Sequence, residues 1–316
     1  MKKIDELIRD RRVIGITAHI RPDGDAIGSS LGLWNYLTKR YPDREITVYL
    51  DPLPAKFRFL PGADRVQTVG EEDKVFDLFI TLDCGAIDRI GPAAKYFYAA
   101  KETACIDHHV RMGDFARINY IFPEASSTSE LVFDLIDHAA IDKEIAQCLY
   151  MGIAHDTGVF QYSCTSEKTM RIAGRLMSTG IDYSGIIDAT FSSRGFEQNR
   201  ILGHALDKAK LYCGGRFIAS YITGEEMEAY HVAPADLDLI VSQLRITRGV
   251  EVACFLYQVG PEDFKVSLRS NGDIDVAALA MAYGGGGHVK AAGCSTGLPA
   301  EDAIRLFADR VAESLN

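Results

Sequence analysis

The sequence predicts an α/β protein in two parts: an N-terminal domain built on a mainly parallel sheet flanked by helices, and a smaller C-terminal α+β domain. Three observations carry this. Short β-branched runs alternate with helical patterns through the first half, which favours parallel strands joined by crossover helices. Past residue 125 the periodicity turns helical, and from about residue 210 strand-like runs return. The expected divisions are 1–190, a helical linker over 191–208, and 209–316.

In chain order, RVIGITA (12–18) is the first strand and SSLGLWNYLTKR (29–40) the first clear helix. EITVYL, DLFITLD and TACID supply further strands separated by helix-like segments. Three helical runs follow: SSTSELVFDLIDHAA, DKEIAQCLYMGIAHDTG and SEKTMRIAGRLMSTG. Ser127 or Thr128 suits the cap of the first, and Gly180 the end of the third. RGFEQNRILGHALDKA is polar and helix-like and reads as the connector. In the last part FIASYIT, VEVACFLYQV and FKVSLRS are candidate strands, with DVAALAMAY and AEDAIRLFADRVAESL as helices. The one low-complexity feature is GGGG at 284–287.

Composition narrows the function classes. The 316 residues, 47% of them hydrophobic, can bury two ordinary cores. No apolar run is long enough for a membrane span, and the charged start MKKIDELIRDRR is not a signal peptide, so a cytoplasmic protein with no membrane partner is expected. Seven scattered cysteines without a CxxC pair suggest neither a disulfide framework nor a thiolate zinc site. The net charge of −10 argues against sequence-independent binding of long duplex DNA, where many phosphates must be neutralised at once. A short anionic substrate held by a few local cations fits.

The chemistry gathers where open α/β sheets bind ligands, at the carboxyl ends of strands. His19, Asp23 and Asp25 follow the first strand, Asp83 follows DLFITL, and Asp107, His108 and His109 follow TACI. Asp156, in AHDTG, closes a long helix. Taken singly, each has an ordinary explanation; Asp25 before AIGSS, for instance, makes a good helix cap. Taken together they do not, because independent caps have no reason to converge on three strand ends. Several carboxylates in one cleft repel each other unless a cation sits among them. Carboxylates mixed with imidazoles and no thiolate suit Mn²⁺ or a similar ion, and two such ions can clamp a phosphate and activate water at neutral pH.

The motifs HIRPDGDAIGSSLGL, LDC, DHH and HDTG, in this order, resemble the DHH phosphoesterase superfamily, and GGGGHVKAAGC resembles its companion DHHA1 domain. Length and layout are similar to the nanoRNase (oligoribonuclease) and pAp phosphatase group. The resemblance implies a phosphoesterase with its active site in the cleft between the domains, holding two Mn²⁺, with Mg²⁺ or another divalent ion as substitutes. It places one ion on His19 and Asp23, the other on Asp25, His108 and Asp156, and makes Asp83 the bridge. His109 would face the substrate phosphate as a catalytic group, with Asp107 supporting it. The implied substrates are short RNA or DNA oligonucleotides, linear dinucleotides such as pApA, and pAp, and a homodimer is consistent with the group.

The second domain is expected to grip substrate. Gly285, Gly286 and Gly287 offer backbone that can approach a phosphate, flanked by His288 and Lys290. Arg269 and Ser270, after FKVSL, are the other expected phosphate contacts, since a guanidinium presents a planar fork. The alternatives are a cyclic-dinucleotide phosphodiesterase, a family-II pyrophosphatase, a RecJ-type exonuclease, and a nucleotide sensor without catalysis.

Overall fold

The computed structural model describes residues 4–109 and 114–315. The chain divides into two compact units, Met1–Ser193 and Arg194–Asn316.

The first unit opens with α1 (Ile4–Ile8), β1 (Val13–Thr17), α2 (Gly24–Arg40) and β2 (Glu45–Tyr49). Next come β3 (Leu78–Leu82), α3 (Ala94–Ala99), β4 (Thr103–Asp107) and β5 (Ile118–Ile121), then the helices α4 (Thr128–Leu135), α5 (Lys143–Asp156), α6 (Glu167–Met177) and α7 (Tyr183–Ile187). The strands form one parallel sheet in the order β2-β1-β3-β4-β5. Every residue of β3 and β4 is buried, as expected where a parallel sheet is covered on both faces and its strands read as continuous apolar runs. One core gathers Ile14, Ile16, Leu31, Leu82, Ile106 and Leu149; a second, aromatic one gathers Tyr49, Phe76, Phe79 and Tyr96.

The strand order has a consequence for function. The chain runs from β1 outward to β2 and then returns to β3 on the other side, so a crevice opens beyond the carboxyl ends of β1 and β3. His19 and Asp83 follow those two ends.

The second unit contains α8 (Phe196–Asp207), β6 (Lys210–Tyr212), β7 (Phe217–Ile222), α9 (Gly224–Ala229), α10 (Ile240–Arg245), β8 (Val252–Gln258), β9 (Phe264–Ser270), α11 (Val276–Met281), β10 (Gly286–His288), β11 (Ala291–Thr296) and α12 (Ala300–Leu315). Its mixed sheet runs β10-β11-β9-β8-β7-β6, with only β7 and β8 parallel. Alternation sends Val252, Cys254 and Leu256 to a core containing Phe307 of α12, and Ala253 and Phe255 to another containing Leu244 of α10.

Three local features go beyond the sequence reading. The stretch expected as a helical linker contains α8, whose Ile201 and Ala205 are fully buried in the second unit's core. β5 went unread because INYI is short and only half-buried. Within the glycine run, Gly284 lies in the turn after α11 with φ +72°, its amide donating to the Met281 carbonyl at 3.1 Å, and Gly286–His288 pair with Ala291–Gly293 as an edge strand.

Candidate metal centre

The centre is assembled by local rules at each strand end. α2 begins at Gly24 with Asp23 as its N-cap; Asp23 Oδ1 accepts from the amides of Asp25 and Ala26 at 3.0 and 3.1 Å. The capping role thus belongs to Asp23, and Asp25 lies in the helix's first turn, fully buried. Asp156 is the last residue of α5, where the carbonyl end of the helix favours a cation nearby. Asp83 takes left-handed φ (+53°) directly after β3, a conformation Asp tolerates better than most residues.

Close packing of α2 on α5 brings Asp23 and Asp25 to Asp156. A Cβ at Gly28 would lie 2.6 Å from the Cys148 carbonyl oxygen and 2.8 Å from the Gly152 Cα, so the helices meet backbone to backbone. A Cβ at Gly152 would lie 2.0 Å from Ser129 Oγ and 2.9 Å from Asp25 Oδ1.

Three sets of donor atoms result, each within 4.8 Å: His19, Asp23 and Asp83; Asp25, His108 and Asp156; and Asp83, His108 and His109. Asp83 lies at the centre of the cluster. Its Oδ2 is 3.6 Å from His19 Nε2, and its Oδ1 is 3.5 Å from His108 Nε2 and 3.6 Å from His109 Nδ1. His108 Nε2 also lies 3.1 Å from Asp156 Oδ2. Asp107, fully buried, sits behind His109 and accepts from its Nδ1 at 2.8 Å.

The electrostatics are those of a site with surplus negative charge. Burial opposes a charged His19, yet the carboxylates of Asp23 and Asp83, 3.8 and 3.6 Å from its Nε2, outweigh it and raise the imidazole to about 10. His108 is likewise buried and likewise raised to about 10, by Asp83, Asp25 and Asp156. The Asp107 hydrogen bond, against burial, raises His109. Burial, with Asp83 and Asp23 nearby, lifts Asp156 to about 7, and burial with Asp83 and Asp156 lifts Asp25 well above the usual range. Asp83 is held far below it, because the imidazoles of His108 and His19 overcome its burial. Five carboxylates, of Asp23, Asp25, Asp83, Asp107 and Asp156, thus crowd around three imidazoles. Divalent cations would supply that compensation directly, and a set of carboxylate oxygens and imidazole nitrogens fits such ions.

The second unit holds the remaining candidates. The register His288↔Ala291↔Arg269 puts His288 and Arg269 on one face of its sheet. His288 is exposed; Arg269 is half-buried, its Nη1 donating to the Leu268 carbonyl at 3.0 Å. Ser270 points to the opposite face, where its hydroxyl is buried and donates to the Gly272 carbonyl at 3.2 Å. Lys290 Nζ donates to that same carbonyl. The structure therefore groups Arg269 with His288, not with Ser270.

Sequence reasoning missed Thr128 and Ser129. Their amides donate to Asp25 at 2.6 and 2.9 Å, and the Thr128 hydroxyl donates to Asp83 Oδ1 at 3.1 Å. The signal was present, but SSTSE reads as a helix cap, a role that Ser127 fills.

Residues 13–153 match the model of the DHH family, N-terminal domain, and residues 214–316 match the DHHA1 domain. The bifunctional oligoribonuclease and PAP phosphatase NrnA of Thermus thermophilus is 31% identical over 306 residues, covering 96% of this chain and 90% of the relative. Its namesake from Bacillus subtilis is 28% identical, covering 92% and 91%. The crystal structure of an exopolyphosphatase-related protein from Bacteroides fragilis superposes with a TM-score of 0.89 at 31% identity, covering 98% of this chain and 94% of that one. The chain belongs to the DHH family of phosphoesterases, with a DHH domain followed by a DHHA1 domain.

Proposed function

We propose that this protein is a manganese-dependent phosphoesterase that hydrolyses very short oligonucleotides and linear dinucleotides to mononucleotides, and pAp to AMP. The observation that carries it is the donor cluster around Asp83, in a chain similar over nearly its whole length to bifunctional oligoribonucleases and PAP phosphatases. The assignment of ions is His19 and Asp23 for one, Asp25, His108 and Asp156 for the other, and Asp83 between them. Bound there, the ions would supply Lewis acidity toward the phosphoryl group and acidify water for attack.

The chain's own residues do the rest. Asp83 offers its two oxygens in different directions, Oδ2 toward His19 and Oδ1 toward His108 and His109. His109 is oriented by Asp107 through Nδ1, which leaves Nε2 to hold a phosphoryl oxygen or to deliver a proton to the leaving oxygen. On the second unit, Arg269, His288, Lys290 and the backbone of Gly285–Gly287 are assigned to the remaining substrate phosphate. Short substrates suit an acidic protein, because a few local donors suffice where a long duplex would need many.

The deciding experiment offers pApA, a five-nucleotide RNA, pAp, cyclic di-AMP and pyrophosphate in parallel to metal-stripped protein reconstituted with Mn²⁺. Mononucleotides from pApA and AMP from pAp, with pyrophosphate untouched, are expected. Turnover of pyrophosphate alone, or of nothing, would overturn the proposal.

A further inference from the structure

Helix α4 contributes nothing to the donor set, yet its first turn touches two members of it. Thr128 binds Asp25 through its amide and Asp83 through its hydroxyl, and all three residues are buried. It therefore joins the second ligand set to the carboxylate shared by both. A cap does not explain the hydroxyl, because Ser127 already accepts from the Glu130 amide at 3.1 Å.

That first turn is itself fastened. Glu130, 1% exposed, accepts from the hydroxyls of Ser126 and Thr169 at 2.7 Å each and pairs with the Lys168 ammonium at 3.1 Å. The two hydroxyl bonds to this buried carboxylate are charge-assisted and away from water, and bonds of that kind hold a helix end firmly. A carboxylate that bridges two ions must present one oxygen to each, and rotation about its last torsion would spoil the arrangement. The Thr128 hydroxyl fixes Oδ1 on the His108 side and so turns Oδ2 toward His19.

We propose that Thr128 is a positioning residue of the metal centre: its hydroxyl sets the rotation of the bridging Asp83, while its amide and that of Ser129 hold Asp25 in register. This rests on the two-ion reading of the cluster.

The test compares Thr128→Val, which removes the hydroxyl but keeps the β-branch and the amide, with Thr128→Ser, which keeps the hydroxyl. On full-length, metal-stripped protein, Mn²⁺ binding is measured by calorimetry, folding by melting without metal, and kcat and KM with pApA. Thr128→Val should bind Mn²⁺ about 10–100-fold more weakly, the usual consequence of losing a group that orients a metal ligand. Its kcat should fall more than its KM rises, its metal-free melting should stay close to wild type, and Thr128→Ser should restore binding. Wild-type affinity and kcat in Thr128→Val would overturn the proposal, as would a serine variant as impaired as the valine. If Thr128→Val does not fold, Thr128→Ala serves in the same comparison. A wild type that binds two ions but leaves pApA intact would overturn the proposed substrate alone, and the Mn²⁺ titration would still decide Thr128. A wild type that binds no divalent ion would overturn both.

Discussion

Asp83 belongs to two of the three donor sets of the candidate centre. It is 2% exposed, and three imidazoles and a hydroxyl face its carboxylate within 3.6 Å. Asp83→Asn keeps the shape and removes the charge and one acceptor oxygen. Losing a supporting group costs about 10–100-fold, so losing the proposed bridge should leave turnover below about a hundredth of wild type. Metal analysis of the purified variant should find fewer bound ions, and retention of both ions with ordinary turnover would contradict the bridging role. At this scale much was legible in the sequence. The six proposed ligands stand in short ordered motifs at strand and helix ends, where the fold class alone directs attention. Thr128 was not legible, since a hydroxyl at a helix start has a sufficient local explanation, and its contact with Asp83 spans 45 positions.

At the scale of elements, the distance between α2 and α5 sets the geometry of the ligands. Gly152 stands where any side chain would meet Ser129 and Asp25, whereas Gly174, on α6, has nothing within 4 Å of its would-be Cβ. The two glycines should therefore respond oppositely to alanine. Gly152→Ala overpacks a buried contact and should cost about 1–3 kcal/mol, with weakened Mn²⁺ binding because Asp25 is displaced. Gly174→Ala relieves only helix-interior flexibility and should gain up to about 1 kcal/mol without touching the metal. Urea denaturation with Mn²⁺ titration of both variants checks this; an unaffected Gly152→Ala would show that the helices have room to part. The sequence showed both helices but not this contact, since a helical glycine looks the same whether it faces solvent or another backbone. The same ambiguity hid β10. Four consecutive glycines lack the side chains from which a strand is recognised, and pairing with β11 decides the conformation of Gly286 and Gly287.

At the scale of the whole molecule, the division of the chain separates two kinds of chemistry. All six proposed ligands, together with His109, Asp107 and Thr128, lie within Met1–Ser193, and the phosphate candidates from Arg269 to Lys290 lie within Arg194–Asn316. Each unit has its own buried cores: Ile14, Leu82 and Leu149 belong to one, and Leu256, Val266 and Phe307 to the other. A unit with its own core is expected to fold alone. Residues 1–193, expressed separately, should melt cooperatively and bind Mn²⁺ with nearly the affinity of the full chain, because every donor atom is present. They should nevertheless lose most turnover of pApA, since the residues assigned to its second phosphate are gone. Substrate binding energy from groups remote from the reacting centre is realised in the transition state, so the loss should appear in kcat as well as KM. Calorimetry and single-turnover assays on the fragment separate the two effects. Weak metal binding by a folded fragment would mean that the second unit completes the centre, and full pApA activity would mean that Arg269 and the glycine strand have no part in the reaction.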